Sequence, residues 1–422
     1  MTAMALPGVA AAAPWSAPAP IPGAGSAPLQ ALFTAAGTGV VLSPSQLAVV
    51  AADGTVTSTQ PLSFAASAVA TYGTDQIAVA GRALATSGQF AGTIDDSSAV
   101  VTRVGTPAKL GATRVVPGTT GRRLYALASN RAGLMALVVG TARTRTVLIR
   151  RPGAGSFAAK LRIRVSARAR GATVAVGAGG DILFVYEDAH EVRARHIGRH
   201  GAVGAVHRLG AGVQSDLQAL VGDDGRLAVA WKSQRVNEGE AATPAIVSFA
   251  TAAPGHGFGA ARTVATVGRT GAGRYVAAPG VRLLATAGGA LLAYTGFEGA
   301  DYTVEARQVS GGRLGPAERL SPSGIDAVLG DAAAGPAGAQ IVTWRAGVAG
   351  ADASGRPAHT PVLANVRAAA GGPFGAAEAV SPAGTDVAFA PVAALDPVSG
   401  RAIVAYGTLG PALALIASRP AA

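Results

Sequence analysis

One short apolar phrase recurs along this chain and constrains its fold more than any other feature. Its copies, aligned on a strand-ending aromatic, are DILFVYED (181–188), RLAVAWKS (226–233), ALLAYTGF (290–297), QIVTWRAG (340–347) and RAIVAYGT (401–408). Each is a short run of Val, Ile, Leu and aromatics preceded by glycine or a polar turn. That is the length of a buried strand, and about half of what a helix needs. QIAVAGR (76–82) and LMALVVG (134–140) fit without the aromatic. A second phrase lies between the copies: an apolar residue, Gly or Ala, four variable positions, then Leu, Val or Ile. It appears as VGTPAKL (104–110), FAAKLRI (157–163), VGAVHRL (203–209), FGAARTV (258–264), LGPAERL (314–320) and FGAAEAV (374–380), with a degenerate copy VTSTQPL at 56–62.

From 56 to 374 the second phrase recurs over six intervals averaging 53 residues. A strand-rich period of this order, with no 3.6-residue periodicity, is the pattern of propeller blades. The expected fold is therefore all-β: a β-propeller of four-stranded antiparallel blades, seven by the count of outer copies with six or eight as the alternatives, with LAVAW an inner strand and FGAAEAV an outermost one. The early outer copy predicts closure by an N-terminal strand, residues 56–62 pairing with the blade built from 388–419, which would remove free sheet edges. Blades bury their faces against neighbours, so 29–422 reads as a single domain. Aromatics are only 5% of the chain. Tyr186, Trp231, Tyr294, Trp344 and Tyr406 are thus assigned to packing between blades and not to ligand stacking.

Residues 1–28 form an Ala/Pro/Gly-rich stretch that reads as a disordered leader or the remnant of a secretory signal, although a basic n-region is missing. On that ground the expected location is secreted, or the exterior of the cell envelope. No strongly apolar run of the length needed to span a bilayer is present, so no transmembrane anchor is expected. The chain has no Cys, which excludes disulfides and thiolate metal sites. Neither a metal nor another cofactor is expected, and the chain reads as a monomer.

Net charge is +12, but residues 97–180 hold 15 Lys and Arg and no acid. Within AAKLRIRVSARARG (158–171), Lys160, Arg162, Arg164, Arg168 and Arg170 alternate with apolar residues, and Arg143 and Arg145 lie two apart upstream. On an extended outer strand this puts the basic side chains on one face. A one-signed field attracts anions, so these seven residues are the candidate polyanion site; protection of a sheet edge is the competing reading. Asp216, Asp326 and Asp386 each follow an outer-strand copy and form a second candidate set, turn carboxylates on the ring face, weighed against plain turn capping. His190, His196, His200 and His207 lack a metal-dictating spacing. The acidic stretches NEGE (237–240) and GFEGADY (296–302) read as solvated loops. Nucleic acid is not expected, because the aromatics sit on buried strands and do not interleave with the basic residues.

In ring architecture the chain resembles secreted bacterial propeller repeat proteins and, loosely, sialidases, without the Asp-box turns of the latter. The resemblance would imply glycan-active chemistry, whose one local candidate is Tyr186, Glu187 and Asp188 in VYED; adjacent strand residues point to opposite faces, which argues against joint action. The expected function is an exported, non-catalytic binding or scaffold protein that docks an acidic polysaccharide, a cell-wall polymer or a protein. A propeller-type glycan hydrolase or lyase is the alternative.

Overall fold

The computed structural model describes residues 15–25, 28–51, 53–83, 98–212, 216–233, 244–268, 280–299, 301–351, 357–409 and 413–421. A five-residue hairpin turn organises most of the blades. Thr34, Asn130, Gly177, Gly222 and Gly335 each donate a backbone N–H to the carbonyl four residues on. In the first four of these turns the N–H of Gly37, Gly133, Gly180 or Gly225 also returns to the turn's first carbonyl, and each of these glycines has φ between 76° and 90°. A type I turn closed by a left-handed glycine matches the twist of the flanking strands. It joins the first strand of a blade to the apolar second strand.

The described residues form an all-β β-propeller of four-stranded antiparallel blades, eight and not seven. The first blade comprises Gln30–Phe33, Gly39–Ser43, Gln46–Val50 and Val56–Pro61. The next six lie within 64–115, 123–164, 172–211, 216–267, 281–319 and 326–379, and the eighth within 392–419. In blades two to eight the recurring apolar phrase is the second strand, next to the innermost one, and in blades one to seven the other phrase falls on or beside the outermost. Blades one, six, seven and eight belong to one compact unit (residues 1–61 and 278–422), and blades two to five to another (62–277).

An N-terminal outer strand does complete the last blade, but the residues expected to supply it are corrected. Residues 56–61 pair with Gln46–Val50 of their own blade, because 30–50 already supply three strands before them. The outermost strand of the eighth blade is Ala19–Pro20, which pairs with Leu415 and Ile416. Around it the Ser16 N–H donates to Ser418 O at 2.7 Å and the Ile21 N–H to Ala414 O at 2.8 Å. Ile21 and Ala24 are buried in the core between the first and eighth blades. The closing strand thus lies inside the stretch read as a leader. Two residues in a Pro-rich context carry no strand pattern, which is why seven outer phrases undercount the blades by one.

Second strands are buried on both faces. In Ile182–Asp188, Ile182, Phe184 and Tyr186 pack toward the third blade while Leu183 and Val185 pack toward the fifth. Trp231, Tyr294, Trp344 and Tyr406 are each at most 1% exposed. The two indole N–H groups are satisfied: Trp231 Nε1 donates to Ala211 O and Trp344 Nε1 to Asn365 Oδ1. The strand aromatics are core, as their position in the repeat predicts.

Candidate functional site

The basic stretch begins on a true outermost strand, Ala158–Arg164, which pairs with Thr144–Arg150 in the third blade. Leu161 and Ile163 are half-buried against the core shared with the fourth blade, and Arg162 and Arg164, registered opposite Thr146 and Thr144, are exposed on the other side. A register shift between Ala159 and Leu161 leaves Lys160 outside the regular pairing, though still exposed. The strand ends at Arg164, so the expected continuous stripe is broken: Arg168 and Arg170 lie in the loop to the fourth blade. Arg143 is exposed in the turn before Thr144, and its carbonyl accepts the Val165 N–H at 3.0 Å.

Arg145 is the clear exception. It is completely buried, with Nη1 donating to Thr141 O (2.6 Å) and Thr144 O (2.9 Å), and Nη2 to Ala169 O (2.9 Å). Its guanidinium lies 4.2 Å from the centre of the Tyr125 ring. Burial pulls its pKa down, opposed by Tyr125 and Glu187. Parity placed it with Arg143, but its face points inward under the loop 165–171, so it holds the loop and does not present charge.

The same loop is held from the other side. Glu187, only 3% exposed, accepts the N–H groups of Arg170 (2.7 Å) and Gly171 (2.8 Å) on Oε2. Asp188 accepts the Ser166 N–H at 2.8 Å and pairs with Arg193. The Tyr186, Glu187, Asp188 run is thus committed to packing and to loop anchoring. Sequence reading had no means of assigning this role, since the partners lie 16 to 22 residues upstream.

Asp216 opens the innermost strand of the fifth blade, opposite Lys232 in register, and accepts from Gln218 Nε2. It lines a cleft of about 380 Å³ with Tyr125, Thr173 and Gln218. Lys232 is 1% exposed, and burial pulls its ammonium down to about 8 while Asp216 acts in the opposite sense. Asp326 opens the innermost strand of the seventh blade and accepts the Tyr302 N–H at 2.8 Å. Asp386 precedes the isolated bridge of Val387 to Thr408 and pairs with His359 at 3.2 Å.

His196 pairs with Asp181 at 2.8 Å, Arg199 donates to His200, and His207 packs edge-on to Phe258. His190 has a φ of 152° in the tight turn after Asp188. Residues 237–240 lie outside the described residues. Of the 296–302 stretch, Glu298 pairs with Arg319 and the Tyr302 ring meets Phe297 edge-on. Among the described residues no helix is long and apolar enough to cross a membrane.

No family model and no curated protein matches this chain. Among solved structures it is similar to the Dos1 propeller, at 10% identity and TM-score 0.51, covering 94% of this chain and 92% of that one. Weaker likenesses are the Kuenenia stuttgartiensis hydrazine synthase (10% identity, TM-score 0.47, 94% and 96% covered) and a functionally unknown protein of Desulfotomaculum acetoxidans (11%, 0.46, 81% and 99%). The first likeness bears on the fold alone.

Proposed function

We propose that this chain is an exported, non-catalytic propeller that docks an acidic polymer of the cell surface through its third blade. The observation that carries the reading is the exposure of Arg143, Lys160, Arg162, Arg164, Arg168 and Arg170 within a segment free of acids, on a strand and loop anchored by Arg145 and Glu187. Edge protection would work with either sign of charge, whereas a one-signed field repels itself and attracts anions. Anchoring the loop lowers the ordering cost of binding. Exposed charges are screened by salt, so the affinity is salt-sensitive.

The test is retention on immobilised polygalacturonate along a salt gradient, for the parent and for a folded variant with Arg162, Arg164, Arg168 and Arg170 changed to Ser. Elution of the variant at clearly lower salt supports the reading. Elution at the parent's salt concentration overturns it and leaves edge protection as the account of the stripe.

A further inference from the structure

A cavity of about 350 Å³ lies between the second and third blades, separate from the exposed strand that carries Arg162 and Arg164. Arg114 reaches it from the outermost strand of the second blade, and Arg150 from the end of the third strand of the third blade. Arg114 Nη1 donates to Gly155 O at 3.3 Å and Arg150 Nε to Ala154 O at 2.8 Å. Two guanidinium groups therefore approach consecutive carbonyls of one loop. Neutral carbonyls orient these groups without cancelling their charge. No Asp or Glu is found among the described residues lining the cavity.

The remaining wall is mostly apolar. Val116 and Phe157 are 2% and 9% exposed, and Val104, Val115 and Pro117 line it beside them. An inorganic anion would satisfy the arginines and leave this wall idle; an apolar molecule would do the reverse. We propose that the cavity binds a small organic carboxylate, its carboxylate between Arg114 and Arg150 and a short apolar body against Val104, Val116 and Phe157. Planar guanidinium groups suit a carboxylate, paired charge relieves the repulsion between the two arginines, and the volume falls in the range of small-molecule sites, about 300–1,000 Å³.

Calorimetric titration of the intact protein with benzoate and with hexanoate, and with inorganic phosphate as comparison, tests the assignment. Saturable binding of at least one carboxylate is expected, with phosphate much weaker. Arg114→Gln and Arg150→Gln should each weaken it by roughly tenfold or more, the usual consequence of removing a charged hydrogen-bond partner. Because either change can also loosen the loop, Ala112→Trp is the second variant: it crowds the lining from an exposed position and leaves both arginines in place. Loss of binding in a Trp variant with the parent's melting temperature supports the site. Absence of saturable binding by both carboxylates, phosphate binding as tight as theirs, or an Ala112→Trp protein of unchanged affinity each overturns it. Polygalacturonate retention reads a different set of arginines, so the two proposals fail separately.

Discussion

Arg145 and Glu187 hold the two ends of one peptide unit: the guanidinium donates to the Ala169 carbonyl at 2.9 Å, and the carboxylate accepts the Arg170 N–H at 2.7 Å. One residue comes from the third blade and the other from the fourth, and the peptide they share belongs to the loop between those blades. A buried carboxylate and a buried guanidinium are costly alone. Here each satisfies the backbone and moderates the field of the other.

Arg145→Met should lower stability by about 3 kcal/mol, since it deletes charge-assisted bonds to three carbonyls and leaves Glu187 without its nearby cation. It should also reduce retention on polygalacturonate although every exposed arginine remains. Chemical denaturation and the salt gradient, run on the same preparation, check both outcomes. Full retention in a destabilised variant would show that loop order does not matter for binding.

Trp15 Nε1 donates to Glu378 Oε2 at 2.9 Å, and Arg419 holds the same carboxylate with two bonds. Together with Ala19–Pro20 and buried Ile21 this ties the start of the chain to the seventh and eighth blades. Deleting residues 1–25 should therefore cost about 4 kcal/mol, the sum expected for an apolar core residue and a few hydrogen bonds. Thermal melting that matches the intact chain would refute the closure.

Lys232 gives a pH dependence of known sign. Its folded pKa, about 8, lies below the unfolded value of 10.5, so between these the unfolded chain binds more protons and stability rises with pH. Below pH 8 both states are charged and the burial penalty is fully present. Lys232→Met should remove the slope, so the stability difference between variant and parent narrows or reverses from pH 8 to 10. Taking the difference cancels the buried tyrosines, whose raised pKa values act oppositely. A constant difference over that range would exclude a depressed lysine.

Trp344→Ala should destabilise by about 3–5 kcal/mol, as for large core deletions, because the ring fills the core between the sixth and seventh blades and its N–H is bonded to Asn365. Fluorescence-detected unfolding measures it. A variant as stable as its parent would place the ring outside the core.

The strand class, the repeat and the burial of Trp231, Trp344, Tyr294 and Tyr406 were legible in the sequence, since an apolar run bounded by turns has one stable place in stacked sheets. The turn TAAGT (34–38) was legible too: the turns NRAGL (130–134) and GDDGR (222–226) share its closing glycine, and it marks 30–50 as strands of the same blade as the outer copy at 56–62, which leaves the blade within 392–419 to be closed by another segment. The exposure of Arg162 and Arg164 on one face followed from alternation along one strand.

What the tertiary structure alone decided depends on contacts between residues far apart in the chain. Closure through Ala19–Pro20 rests on partners nearly 400 residues away, and two residues have no period to read. Arg145 has the composition and parity of a surface residue; only the loop folded over it, with Glu187 on the far side, makes it an anchor. Arg114 and Arg150 meet one cavity because two blades pack side by side. Local pattern specifies which face of a strand a side chain takes, and the packing of neighbouring blades determines whether that face meets solvent, core or a cavity.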